Sequence, residues 1–143
     1  MAPVTFRTSI TPVLTVRRAT DAVAFYQKAF GADEVYRNTY PDGAIVAELV
    51  IGDARFRVAE EAPSAANLSP ESLHGTTVRI NLLVADPDSF AARAVEEGAI
   101  EVTPVADQSY GLRQGRLVDP FGHHWLIGRP LEGAAGHWAR TGV

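Results

Sequence analysis

TPVLTVRRATDAVAFYQKAFGADEV, residues 11–35, and VRINLLVADPDSFAARAVEEGAIEV, residues 78–102, follow one plan. Each opens with a short β-rich run ending in a valine, Val16 or Val84. Each continues with a helix-start signal: Thr20 as a cap before Asp21, and Asp86 as a cap before Pro87, whose missing N–H is harmless at the first helical position. Each helix then stops at a glycine suited to the left-handed position, Gly31 or Gly98, and a valine four residues on, Val35 or Val102, opens an extended run. The apolar faces read Ala22, Val23, Tyr26 and Phe30 in the first helix, and Phe90, Ala91, Ala94 and Val95 in the second.

Strand signals follow both helices. Pro41-Asp42-Gly43 marks a turn, and Gly52-Asp53 reads as a tight hairpin between AIVAELVI and ARFRVAE. In the second half a Tyr110–Gly115 loop leads into GRLVD, and Asp119-Pro120-Phe121-Gly122 turns the chain into HHWLIG. The expected fold class is α+β, with two tandem β-α-β-β-β modules at about 8–60 and 77–130. Between them the Pro- and Ser-rich stretch 61–76 reads as a linker, and 131–143 as a C-terminal arm that is loose or docks a partner.

Composition narrows the function. The 143 residues are 46% hydrophobic and 21% charged, as in a folded globular domain. A net charge of −4 and a pI near 5.5 give no basic field to recruit nucleic acid or an anionic membrane. The absence of cysteine removes disulfides, thiol nucleophiles and thiolate metal sites, and suits a reducing cytoplasm. MAPVTFRTSITPVLTV has no basic segment followed by an apolar run, so no signal peptide is expected.

Together with ITPVLTVRRATDAVAFYQKAFGADEV, the stretch YGLRQGRLVDPFGHHW resembles the vicinal oxygen chelate superfamily, which includes glyoxalase I, bleomycin-resistance proteins and extradiol dioxygenases. The likeness is greatest to its PhnB-like group, although Leu112 stands where that group often has an acid. The resemblance implies a curved mixed sheet around a cavity, completed in a homodimer. It also implies one metal ligand on the first and one on the last strand of each module. Counting within the repeat, those positions fall on Thr11, Arg57, Arg79 and Leu126. None is a standard ligand, and two are permanent cations, so no metal and no cofactor are expected. His123 and His124 are neighbours in a strand, point to opposite faces and cannot grip one ion from one side.

Period-2 alternation sorts the strands. Thr11, Val13 and Thr15 face the cavity, as do Arg55 and Arg57, Arg79 and Asn81, and His124 and Leu126; Trp125 belongs to the core. Two guanidiniums in a half-buried cavity call either for an internal acid, Glu48 or Glu60, or for an anionic ligand. Tyr110, Arg113 and Arg116 come from a loop placed to cover that ligand. The candidate ligand-binding set is therefore Thr11, Glu48, Arg57, Arg79, Asn81, Tyr110, Arg113, Arg116 and His124.

The leading expectation is a metal-independent small-molecule binding protein of glyoxalase/bleomycin-resistance type. Its ligand would be a metabolite or drug with an anionic group, its partners that ligand and a second copy of the chain. Two alternatives stand beside it. One is a metal-free lyase or isomerase using Arg57 and Arg79 to stabilise an enolate or carboxylate, with His124 or Glu48 as base. The other is a metal-dependent glyoxalase or dioxygenase whose ligands lie elsewhere.

Overall fold

Alternation is the feature that builds this molecule. In the computed structural model, which describes residues 5–133, the strand Ala54–Glu60 buries Phe56 and Val58 and turns Arg55 and Arg57 outward. The elements run β1 (Val13–Val16), α1 (Ala19–Phe30), β2 (Asp33–Thr39), β3 (Ile45–Ile51), β4 (Ala54–Glu60), α2 (Pro70–Leu73), β5 (Arg79–Leu83), α3 (Pro87–Glu96), β6 (Ile100–Asp107), β7 (Leu112–Val118) and β8 (His124–Pro130). They form two four-stranded mixed sheets of identical order, β1-β4-β3-β2 and β5-β8-β7-β6. In each, the first strand lies parallel to the last and the other pairings are antiparallel. The repeat read from residues 11–35 and 78–102 is thus a repeat of topology. Among the described residues no helix is long and apolar enough to cross a membrane. The arm expected over 131–143 lies, from residue 134 onward, outside the described residues.

One core serves both modules because the helices lie between the two sheets' buried faces. Leu14, Val16, Phe56 and Val58 of the first sheet and Leu82, Trp125 and Ile127 of the second all pack against this layer. Phe30 at the end of α1 joins the halves, with ring centres 5.1 Å from Phe90 on α3 and 4.8 Å from Trp125 on β8. The first pair is stacked and the second edge-to-face, and such packing adds to the burial of each ring, itself worth about 1.5–3 kcal/mol. Phe25, outside the predicted apolar face, is buried too, whereas Val95 near the end of α3 is left largely exposed.

Local signals held unevenly. Asp86 caps α3 through Ser89 N at 3.2 Å, with Pro87 at the first position. Thr20 does not cap α1. That helix starts at Ala19, and the Ala19 N–H donates to Glu60 Oε1 at 3.2 Å. Glu60 stands opposite Val16 in the β1–β4 register, so the cap is tertiary and comes from 41 residues away. The segment between the modules is held by side-chain hydrogen bonds. Ser69 is fully buried and caps α2, while its N–H and Oγ–H both donate to Glu61 Oε1 at 2.9 and 3.0 Å.

The turn before β8 fastens the modules together. Asp119 Oδ1 accepts from the Phe121 and His123 N–H groups at 2.9 and 3.0 Å. Its Oδ2 accepts from Trp125 Nε1 at 2.9 Å and from the Tyr26 hydroxyl of α1 at 2.5 Å. Burial, and then Asp119 beside it, push the Tyr26 hydroxyl well above its ordinary pKa, so it stays a donor. Gly122 closes the same turn at φ +92°, with its bare Cα facing Pro70 of α2. An added Cβ there would lie 2.7 Å from the Pro70 Cβ. Gly122→Ala is therefore expected to destabilise the fold by about 2–4 kcal/mol, from positive-φ strain together with overpacking. Thermal unfolding of the variant checks this.

Candidate functional site

The outward faces of the two sheets carry opposite electrostatic solutions. On the first, Glu48 of β3 stands directly across from Arg57 of β4. Its carboxylate accepts from Arg55 Nη1 at 2.6 Å and from Arg57 Nε at 3.0 Å. Hydrogen bonds from Arg57 and then Arg55 hold Glu48 below the usual carboxylate range. Arg57 is therefore already neutralised within the chain.

On the second sheet, parallel pairing of β5 with β8 sets Arg79 beside His124 and Asn81 beside Leu126. Across β8, Arg116 of β7 pairs with Leu126. Arg79, Tyr110, Arg116 and Leu126, with Thr103, Gln108 and Gln114, line a cavity of about 180 Å³. Among the described residues neither Arg79 nor Arg116 forms an ion pair, in contrast to Arg55, Arg57 and Arg113. Arg116 Nε donates to His124 Nδ1 at 3.0 Å, which fixes the remaining ring proton on Nε2. Burial, and then the Arg116 charge, push His124 below its ordinary pKa and keep it neutral.

The cavity wall is braced by amides. The Tyr110 hydroxyl donates to Gln114 Oε1 at 2.6 Å, and Gln114 Nε2 donates to Asn81 Oδ1 at 3.3 Å. Gln108 Nε2 ties down the Gln114 carbonyl at 3.0 Å. Gly115, beside Gln114, admits a bulge of β6: between Thr103 and Ala106 the register shifts against β7, and a Cβ on Gly115 would lie 2.7 Å from Val105 N. Gln114, Gln108 and Thr103 were missed from sequence. Gln114 was findable, since it stands two residues before Arg116 on the same face of β7.

Other candidates fall away from this cluster. Arg113 turns to the helix-bearing face of the sheet and binds both oxygens of Asp88 at 2.7 Å and Asp107 at 2.9 Å, which holds its guanidinium firmly protonated. The expectation that it covers a ligand is corrected by that pairing, with α3 close enough to claim it. Glu60 serves as the helix cap described above and takes no part in the arginine pairing. Thr11 precedes β1 and lines none of the cavities described here. Two larger hollows, of about 410 Å³ beside Leu73 and Val78 and about 560 Å³ beside Tyr40 and Ala62, are mainly apolar. Size alone would favour them, but neither is lined by an arginine, and the second is lined by Asp42, Glu60 and Glu61, whose charges repel an anion.

A family model described as the glyoxalase/bleomycin resistance protein/dioxygenase superfamily matches residues 9–127. The chain belongs to that superfamily. An uncharacterized protein of Mycobacterium bovis is 40% identical over 128 residues, covering 87% of this chain and 84% of its own length. Among solved structures, a gene product of Arabidopsis thaliana is 27% identical with a TM-score of 0.67, covering 87% of this chain and all of its own. TioX from Micromonospora sp. ML1 is 26% identical with a TM-score of 0.67, covering 86% of this chain and all of its own.

Superfamily membership raises the question of a metal, and the donor set answers poorly to it. The register confirms that the repeat-derived positions correspond, since Val13 faces Arg57 as Asn81 faces Leu126. They hold Thr11, Arg57, Arg79 and Leu126, which offer a divalent cation one hydroxyl, two positive charges and a hydrocarbon. Among the described residues no group of three His, Cys, Asp or Glu side chains is placed to hold a metal ion. His123, which stands just before β8, and His124, the first residue of that strand, engage different partners: His123 Nε2 lies 2.9 Å from the Thr15 carbonyl, while His124 Nδ1 accepts from Arg116.

His124 gives the fold a pH signature. Its folded pKa is lowered, so the unfolded chain binds more protons below about pH 6.5. Its contribution is complete above that pH and is lost as pH falls through the folded value. His124→Gln is expected to flatten the change in unfolding free energy between pH 7.5 and 5, measured by urea denaturation at each pH.

Proposed function

We propose that the chain is a metal-independent small-molecule binding protein that holds its ligand by an anionic group on the outer face of the second sheet. The observation that carries this is the pair Arg79 and Arg116, lining one cavity without carboxylate partners among the described residues, while Arg55 and Arg57 are satisfied by Glu48. The Thr103 hydroxyl, also in the cavity lining, offers an acceptor-rich guest a further proton. A volume of about 180 Å³ suits one end of a ligand, since drug-sized sites run to about 300 Å³ or more. A homodimer would supply the rest by bringing a second copy against the exposed sheet face.

Binding is favoured over turnover by the state of the two candidate bases. Glu48 has both oxygens engaged by arginine and a lowered pKa, and the His124 Nδ1 lone pair is taken by Arg116. Neither has a free, suitably basic lone pair.

Acetate titrated into labelled protein in the presence of EDTA tests the proposal. An anion on Arg79 and Arg116 raises the His124 pKa, so the midpoint of its ring resonances should move up saturably with acetate. No saturable shift, or a shift that appears only when divalent metal is restored, would overturn it.

A further inference from the structure

We infer that the anionic group of the ligand is a carboxylate carried on an aromatic ring, the carboxylate on Arg116 and Arg79 and the ring against Tyr110. This rests on the binding reading above and names the class of ligand. Tyr110 is 54% exposed, yet its hydroxyl is spent on Gln114, a side chain only 7% exposed. A tyrosine at a surface ordinarily keeps its ring in and its polar tip in water. Here the tip is tethered, so what remains open at the cavity is the ring.

That ring is also held still. The Gln108 N–H donates to the Leu112 carbonyl at 2.8 Å across the base of the loop, and the Leu131 N–H donates to the Gly111 carbonyl at 2.9 Å. With Gln114 tied to Asn81, and its carbonyl to Gln108, the aromatic wall is ordered before any ligand arrives, which spares the entropy of ordering it.

Arg116 has a matching restriction. Its Nε is committed to His124, so the two terminal amino groups are the ones left for a ligand. An end-on pair of N–H donors fits the two oxygens of a planar carboxylate. Leu126 supplies an apolar floor. The room of about 180 Å³ accommodates one small ring with its carboxylate.

Calorimetric titration of the full chain with benzoate, cyclohexanecarboxylate, benzamide and inorganic phosphate, alongside acetate, tests the inference. Benzoate is expected to bind about 3- to 10-fold more tightly than cyclohexanecarboxylate, the gain typical of a favourable aromatic pair, and benzamide not measurably. Tyr110→Leu should erase the preference for the aromatic ring while both carboxylates still bind. Equal affinity for the two rings in the parent chain, or a preference that survives in Tyr110→Leu, overturns the aryl assignment. Phosphate binding more tightly than benzoate overturns it too, while leaving an anion site in place. Failure of every anion, acetate included, removes the binding reading itself.

Discussion

Asp119→Ala is expected to lower the unfolding free energy by about 3–5 kcal/mol, the largest effect of any single substitution considered for this chain. The side chain is 3% exposed and accepts four hydrogen bonds. Its removal strands the Tyr26 hydroxyl, the Trp125 Nε1–H and two backbone N–H groups away from water. Each buried donor left alone costs about 1–3 kcal/mol, less when neighbours relax together. Against a total stability of roughly 5–15 kcal/mol, such a loss lowers Tm by on the order of 10 °C or more. Tyr26→Phe strands no donor and should cost only about 1–2 kcal/mol. The pair also separates two accounts of the DPFGHHW turn. If Asp119 fastens α1 to the second module, the double variant Asp119→Ala with Tyr26→Phe is less destabilised than the sum of the singles. Strict additivity in denaturant titrations would mean that the Tyr26 contact does not couple the modules.

The second large effect concerns binding. Arg79→Ala combined with Arg116→Ala is expected to weaken benzoate by about 100-fold or more, since each hydrogen bond to a charged group contributes about 1.5–3 kcal/mol. Arg57→Ala, on the face where Glu48 already satisfies the arginines, should change affinity less than about threefold. The contrast matters because Arg57 and Arg79 were equal candidates in the sequence. Arg116→Ala carries its own control: with the neighbouring charge gone, the His124 pKa should rise toward its ordinary value. Equal losses from Arg57→Ala and Arg79→Ala would place the ligand across both sheets rather than on the second.

Much of this architecture was legible because its signals are local and periodic. Val16 and Val84, Gly31 and Gly98, and the alternation of ARFRVAE with VRINLLV fix strands and helices through dihedral preference and burial, neither of which needs a distant partner. What escaped depends on distant partners. Glu60 caps α1 because parallel pairing of β1 with β4 carries it there, and no window around Thr20 contains that information. The same holds for Arg113. Its place next to Arg116 suggested a shared loop, but strand alternation sends the two to opposite faces, and Asp88 of α3 meets only one. In the linker, the hydrogen bonds between Ser69 and Glu61 were likewise not readable from composition, because they join residues eight positions apart. Glu48 was a named partner for the arginines in the sequence, but that it serves Arg55 and Arg57, and leaves Arg79 and Arg116 without a carboxylate among the described residues, turns on which strand faces which across each sheet.

The duplicated scaffold holds Thr11, Arg57, Arg79 and Leu126 where the superfamily resemblance implies metal ligands, and the proposed function keeps one face for binding a small acid. Metal content per chain, measured by mass spectrometry on protein purified without chelator and paired with benzoate affinity before and after EDTA, tests it most directly. Nickel, zinc, iron and manganese are each expected far below one per chain, with an affinity that EDTA leaves unchanged. One equivalent of any of them, with binding lost on its removal, would contradict it.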